Sequence, residues 1–358
     1  MYRALGLLLL VTAAVAACGP SEEAPIRPAS DAVGLPGDSI VDLTGGGATF
    51  PYPVYSRWIS RFTGETGLLI NYRSVGTGDG LGQLRDGTVD FGASDVPLDT
   101  ALSGDALVQL PLVVGAVVVA YNLPEVTVPL QLDGAVLADI FLGQLLRWDD
   151  PRIRALNPGV ALPNVSIKHI TRLDPSGTTK VFSAYLAGAS SAFASRLGSD
   201  LEVLFPTGMT RSGNEGVASE IKVTYGSIGY VEQSYATLNR LPHARLRNGS
   251  GAFVAATPSS LTAAAASAPG PLRADGFPGS LLGATAPEAY PVAAFSWLIV
   301  RPDAISLEAR RTLVQFVRWT QASGAADAEA LGYAPLPPAV RRRVETAVDA
   351  LTAAGRPQ

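Results

Sequence analysis

The chain has 358 residues, 47% of them hydrophobic, enough for two lobes of ordinary domain size around a substantial core and too apolar for a disordered chain. With 27 Lys and Arg against 31 Asp and Glu, the formal charge of −4 excludes the broad basic surface that duplex nucleic acid requires, so no nucleic-acid partner is expected. Two histidines, His169 and His243, and one cysteine, Cys18, leave no internal disulfide and no Cys/His cluster at zinc-ligand spacing.

Residues 1–17 carry one charge, Arg3, ahead of an apolar run from Ala4 to Ala17. That run is shorter than the ~20 residues that span a bilayer, so it reads as an export signal. Val15-Ala-Ala-Cys18 resembles a bacterial lipobox, in which Cys18 is acylated and becomes the first mature residue; cleavage after Ala16, behind Ala14-Val-Ala16, is the alternative. Residues 18–42, rich in proline and polar side chains, read as a tether holding the folded part off a membrane. Export also removes the protein from a supply of ATP, which weighs against kinase chemistry.

Beyond the tether, short apolar runs alternate with amphipathic stretches, the pattern of an α/β protein. Val54, Trp58, Ile59 and Phe62 mark one helical face, and Leu68–Tyr72 a strand. A second helix is expected from Leu81, a strand over Val89–Ala93, and a strand buried on both faces over Leu110–Tyr121. Next come a helix over Ala135–Arg147, a strand over Val165–Thr171, and a helix with Val181, Phe182, Tyr185 and Leu186 on one face. Val217–Val223 follows the turn Arg211-Ser-Gly-Asn-Glu-Gly216, and Gly226–Val231 is a strand. The Ala/Ser/Pro-rich piece 255–269 reads either as low complexity or as a short helix capped near Ser259, and the helix is the favoured reading. Ala293–Val300 is a strand, and two helices close the chain, one with Leu313, Phe316 and Val317 inward, the other with Val340, Val344, Val348 and Leu351. The basic run Arg341-Arg-Arg343 lies opposite that last stripe and reads as a solvated face.

Four turns rich in glycine and hydroxyls stand out: Gly45-Gly-Gly-Ala-Thr-Phe50, Gly76-Thr-Gly-Asp-Gly80, Gly92-Ala-Ser-Asp95 and Asp174-Pro-Ser-Gly-Thr178. Each follows a strand or precedes a helix, where backbone N–H groups lack intrahelical partners and the helix dipole favours an anion. Any one of them is also an ordinary N-cap. Several converging beyond the carboxyl ends of strands make one cleft. Nucleotide motifs fail on spacing: Gly76–Gly82 has glycine at every second position, and Lys180 does not directly follow the glycine of Ser176-Gly-Thr-Thr-Lys180. Ser176 is not in a G-x-S-x-G elbow, which argues against a serine hydrolase. Arg172 and Asp174, two apart, can pair on a strand, either bracing the turn or orienting the guanidinium for a ligand.

The segments GGGATFPYPVYSRW, TVDFGASDVPL, IFLGQLLRWDDPRI with LNPG, TRLDPSGTTKVF, GNEGVA with GSIGYVE, and LGYAPLPPAV together resemble the PstS family, the phosphate-binding components of bacterial phosphate ABC transporters, from about Leu43 to Ala353. The resemblance implies an α/β, two-lobed periplasmic-binding-protein fold (type II), with lobe I at 43–113 and 294–358, lobe II at 114–293, and a hinge near Val113 and Ala293. It implies that Thr49, Phe50, Thr77, Asp95, Arg172, Ser176, Gly177 and Thr178 bind inorganic phosphate, with Asp174 bracing Arg172. Thr77 stands where relatives commonly carry serine, and Asp79 is an additional acid beside it. Asp95 matches the carboxylate that accepts a proton from the bound anion; capping the next helix is its alternative role. The expected protein is therefore an exported, lipid-anchored monomer, periplasmic or on the cell surface, that passes phosphate to a membrane ABC permease without a cofactor or metal and without catalysis. A binder of another oxyanion such as sulfate, and a secreted phosphatase, are the competing readings.

Overall fold

Residues 43–98, 107–270 and 272–353 are described in this computed structural model; the expected signal, Cys18 and the tether lie outside the described residues. The strands are β1 (Leu43–Gly47), β2 (Ile70–Ser74), β3 (Phe91–Ser94), β4 (Val108–Tyr121), β5 (Gln131–Leu132), β6 (Lys168–Arg172), β7 (Met209–Arg211), β8 (Ser227–Glu232), β9 (Arg245–Arg247), β10 (Phe253–Val254) and β11 (Ala293–Val300). One sheet has the order β2-β1-β3-β11-β4-β8-β6-β7, and β10-β9-β5 form a small second one.

The long strand β4 organises the main sheet. Every residue of β4 after Val108 is buried, as its unbroken apolar run requires. β11 pairs antiparallel with its first part, Val108–Ala116, and β8 antiparallel with the remainder, Val117–Tyr121. On one side β1, β2 and β3 are parallel to each other and β3 is antiparallel to β11; on the other β6, β7 and β8 are mutually parallel. The two parallel triplets therefore run in opposite directions. β3 ends at Ser94 opposite Trp297, itself opposite Pro111, and β8 ends at Glu232 opposite Val117. Their carboxyl ends meet over the middle of β4. The expected crossing at Val113 lies inside this strand, and Ala293 is the first residue of β11.

Each triplet has its own aromatic core. Tyr55, Trp58, Tyr72 and Phe91 lie under one, with Tyr55 and Tyr72 edge-on at 5.1 Å, and Phe141, Phe182, Phe205 and Tyr230 under the other, with Phe182 stacked on Tyr230 at 4.4 Å. The indole N–H of Trp58 donates to Gly324 O and that of Trp148 to Gly226 O, so two large rings are buried without stranding a polar group.

Several expected boundaries move for local reasons. The strand read as Leu68–Tyr72 is Ile70–Ser74, Val89–Ala93 is Phe91–Ser94, and Val165–Thr171 is Lys168–Arg172. The helix expected over 135–147 is Gly134–Phe141, because Gly143 adopts φ +70 and stops it. The short alanine-rich helix, Pro258–Ala266, is capped by Thr257 rather than Ser259, in a capping box with Ser260.

The largest correction concerns the second glycine turn. It is not a turn before a helix at Leu81 but the first turn of the helix Thr77–Arg85. Glycine is a poor helix former, which hides this start in the sequence. Packing explains it: a Cβ on Gly80 would lie 2.2 Å from Gly47 Cα, and one on Gly78 would lie 2.6 Å from Pro175 Cβ. Gly80→Ala should therefore lower stability by about 1–3 kcal/mol, the ordinary cost of overpacking. Gly64→Ala, at an exposed position of the helix Tyr52–Thr66 with nothing within 4 Å of the new Cβ, should gain about 0.5–1 kcal/mol. Denaturant unfolding of the two variants checks this opposition of sign.

Candidate anion-binding site

The seam between the two triplets is lined by the starts of helices. The helices Tyr52–Thr66, Thr77–Arg85, Gly177–Ala189 and Gly213–Val223 follow β1, β2, β6 and β7, respectively. Hydrogen bonds join their first turns: Gly177 N–H donates to Thr77 Oγ1 at 3.2 Å, and Asn214 donates to Thr49 Oγ1 from its backbone N–H at 3.2 Å and from Nδ2 at 2.7 Å. Four positive dipole ends thus share one small polar region.

Thr49, Thr77, Asp95, Arg172, Ser176, Gly177 and Thr178 are all brought there and buried. Thr49 Oγ1 accepts two hydrogen bonds from Asn214, which fills its lone pairs and frees its proton to donate. Ser176 Oγ caps its helix by accepting from Thr179 N–H at 3.3 Å, which also leaves a hydroxyl proton to donate. The neighbouring turn Ala48-Thr49-Phe50 is held from behind by three buried tyrosines: Tyr72, Tyr235 and Tyr333 donate to its three carbonyls, in that order, each at 2.7 Å.

Arg172 closes β6 with a side chain only 1% exposed. Its Nε donates to Asp174 Oδ1 at 2.9 Å and Nη2 to Asp174 Oδ2, a forked pair, while the buried Nη1 makes no hydrogen bond to protein. Asp174 Oδ1 also accepts from Gly213 N–H at 2.9 Å. Burial pushes the Asp174 carboxyl up, but the guanidinium and that N–H outweigh burial and hold it below its ordinary value.

Asp95 follows β3 and faces the same space from the other side. Its Oδ2 accepts from Thr178 Oγ1 at 3.2 Å, and the buried Oδ1 makes no hydrogen bond. Burial raises this carboxyl to about 7, against the opposing pull of Arg172 and of the hydrogen bonds from Thr178. The region therefore combines one fixed cation, one carboxylate that neutralises it, one carboxyl titrating near neutrality, and several uncharged donors.

Asp79 is different: it is exposed in the first turn of its helix, where an acid complements the dipole, and has no place among the donors. Asn214 was missed by the sequence reading, though the turn containing it was noted. It is fully buried, its Nδ2 also reaches Thr178 Oγ1 at 3.3 Å, and its Oδ1 accepts from Glu232 N–H at 2.9 Å, which fixes the amide orientation. Asn214→Ala would strand the Glu232 N–H and remove two donors from the hydroxyls. It should cost about 1–3 kcal/mol in unfolding free energy, measured by denaturant titration.

A family model described as the PBP superfamily domain matches residues 21–323. The phosphate-binding protein PstS of Pasteurella multocida is 40% identical over 305 residues, covering 85% of this chain and 88% of that one. The phosphate-binding protein PstS of Xylella fastidiosa is 38% identical over 307 residues, covering 85% and 84%. Among solved structures, a phosphate ABC transporter substrate-binding protein from Clostridium perfringens, described as putative and with bound phosphate, has a TM-score of 0.62 at 14% identity, covering 83% of this chain and 100% of that one, a likeness of fold. The two-lobed α/β fold and the extent of these matches lead to one assignment: the chain belongs to the PBP superfamily and, within it, to the PstS family.

Proposed function

We propose that this chain captures inorganic phosphate outside the cytoplasm and hands it to a membrane ABC permease for import. The observation that carries the reading is Asp95, a buried carboxyl raised to about 7 that faces Arg172 across a ring of helix starts. An ionised carboxylate beside a dianion is repelled unless a proton lies between them. Hydrogen phosphate carries that proton and sulfate has none; a site built around a hydrogen bond rejects the partner lacking it by as much as ~10⁴–10⁵. Thr49, Phe50, Thr77, Arg172, Ser176 and Thr178 donate to the remaining oxygens, Gly177 N–H exchanges its bond to Thr77 Oγ1 for one to the ligand, and Asp174 keeps the guanidinium in its fork. The relatives' shared name, phosphate-binding protein PstS, supports the ligand.

In this reading lobe I is 43–113 with 294–358 and lobe II is 114–293, so Thr49, Thr77 and Asp95 close against Arg172–Thr178. The middle of β4 and the start of β11 are then the hinge. Residues 1–17 direct export, Cys18 carries the lipid, 18–42 form the tether, and the monomer works in the periplasm or at the cell surface. No helix among the described residues is long and apolar enough to cross a membrane. In this reading the protein binds rather than catalyses, and the packing of His169 against Thr207 and Phe141 supports it by giving that imidazole a structural role.

Calorimetry on the wild type should give tight phosphate binding with weak sulfate competition, and equal affinity for the two would overturn the assignment. Arg172→Ala should lose about 1.5–3 kcal/mol of phosphate binding, the worth of a charged hydrogen bond. Below about 7 a neutral Asp95 can itself donate to sulfate, whereas above it the ionised form repels sulfate, so sulfate competition should fade as pH rises through that value. Asp95→Asn should flatten that dependence, leaving only the part that the ionisation of phosphate itself contributes. Turnover of a phosphomonoester by the purified protein, abolished in Arg172→Ala, would favour the phosphatase reading.

A further inference from the structure

Glu232, the last residue of β8, is wholly buried, and none of the ligand contacts described above uses its side chain. Its Oε2 accepts from Ser234 N–H at 2.8 Å, touches Ser234 Oγ, and lies 2.8 Å from Tyr333 Oη. Tyr333 Oη lies 2.7 Å from the Phe50 carbonyl oxygen and 3.2 Å from Ser234 Oγ. A count of protons shows what this cluster needs.

The phenol of Tyr333 owns one proton, and a carbonyl oxygen can only accept, so that proton goes to Phe50. The close contact between Tyr333 Oη and Glu232 Oε2 then needs a proton of its own. An ionised carboxylate would leave two oxygens facing each other with no hydrogen between them. A protonated Glu232 removes the conflict: its O–H donates to Tyr333 Oη, while a lone pair on the same oxygen accepts from Ser234 N–H.

We propose that Glu232 is held as a neutral carboxylic acid whose proton fixes the Tyr333 hydroxyl and, through it, the Phe50 carbonyl, making Glu232 a positioning residue for the anion-binding turn. The part played by the turn rests on the phosphate reading; the protonation of Glu232 does not. Titratable groups facing Glu232 are Tyr333, Tyr235 and Asp95, none of them a cation that would favour its ionised form. Burial, the largest influence, raises the carboxyl from 4.5 to about 8, in the direction the proton count requires. The neutral acid also adds no negative charge to a region that already contains Asp95 and is to hold an anion.

The sign of the consequence follows. Between 4.5 and about 8 the native protein holds a proton on Glu232 that the unfolded chain has lost, so rising pH erodes stability through that window and not beyond it. Glu232→Gln has no such proton to lose. Without ligand, the unfolding constant of wild type relative to Glu232→Gln should rise by about tenfold or more between pH 5 and pH 8. Asp95 titrates in both proteins, so its own contribution largely cancels and only its repulsion of an ionised Glu232 differs between them. Parallel profiles would overturn the inference even if Glu232→Gln is less stable throughout. Tyr333→Phe keeps the ring beside Phe50 and should weaken phosphate binding about tenfold by calorimetry. An amide cannot both accept from Ser234 N–H and donate to Tyr333 through one atom, so Glu232→Gln should weaken phosphate binding several-fold in the wild type. It should change nothing further in Tyr333→Phe; independent losses would sever Glu232 from the turn. A wild type that binds no phosphate would defeat the functional reading, while the ligand-free profiles would still decide the protonation of Glu232.

Discussion

On the phosphate reading, a multiply charged anion held in a dry seam is stabilised without a surplus of fixed positive charge, and the architecture suits that constraint. Arg172 is buried, and a buried guanidinium facing no partner would be costly, so Asp174 takes two of its nitrogens. On the phosphate reading that pairing offsets much of the charge, so beyond the Nη1 of Arg172 the attraction for the ligand falls to dipoles and hydroxyls. Four helix starts supply them at one place. Such convergence requires parallel strands that release their helices at carboxyl ends, and two triplets that face each other over β4 deliver helix starts from both directions.

The closeness of the two sides sets a second constraint, which falls on glycine. A Cβ on Gly76 would lie 2.6 Å from Asp174 Oδ2, and one on Gly177 would lie 2.7 Å from Asp95. These residues are therefore contact surfaces as well as turn formers. The backbone at Gly177 approaches near enough for its N–H to reach Thr77 Oγ1, and the neighbouring Thr178 hydroxyl reaches Asp95. A larger residue would push back the donors that the helix starts present.

The strand-to-helix alternation, the glycine turns and the Arg172–Asp174 spacing were legible in sequence because each is written in neighbouring residues. The start of the helix at Thr77 was not, since its glycines obey a contact with Gly47 and Pro175 rather than helix propensity. Asn214 and two of the tyrosines behind the Ala48–Phe50 turn, Tyr235 and Tyr333, escaped for a different reason. Asn214 meets Thr49 across 165 positions of chain, Tyr235 meets it across 186, and Tyr333 meets Phe50 across 283. No periodicity relates such pairs: Asn214 and Tyr235 reach Thr49 from the opposite triplet's side of the seam, and Tyr333 reaches Phe50 because its neighbour Ala334 bridges Val114 of β4. The glycines flanking Asn214 in Gly213-Asn-Glu-Gly216 were the one local sign that a helix start lay there.

On the phosphate reading, Asp95 ties selectivity to burial. The carboxyl must be shielded from water for a missing proton on the ligand to matter, since water would repair the lost hydrogen bond. The same shielding raises Asp95 to about 7, so near neutrality the residue is itself partly protonated and able to donate. Deeper burial would make a neutral acid that accepts either oxyanion; shallower burial would let solvent screen the repulsion. Arg172 and Thr178 pull the carboxyl down against burial, and their nearness keeps it ionised enough to read a proton on the ligand. The cation thus acts on the choice of anion through Asp95 as well as through any contact of its own.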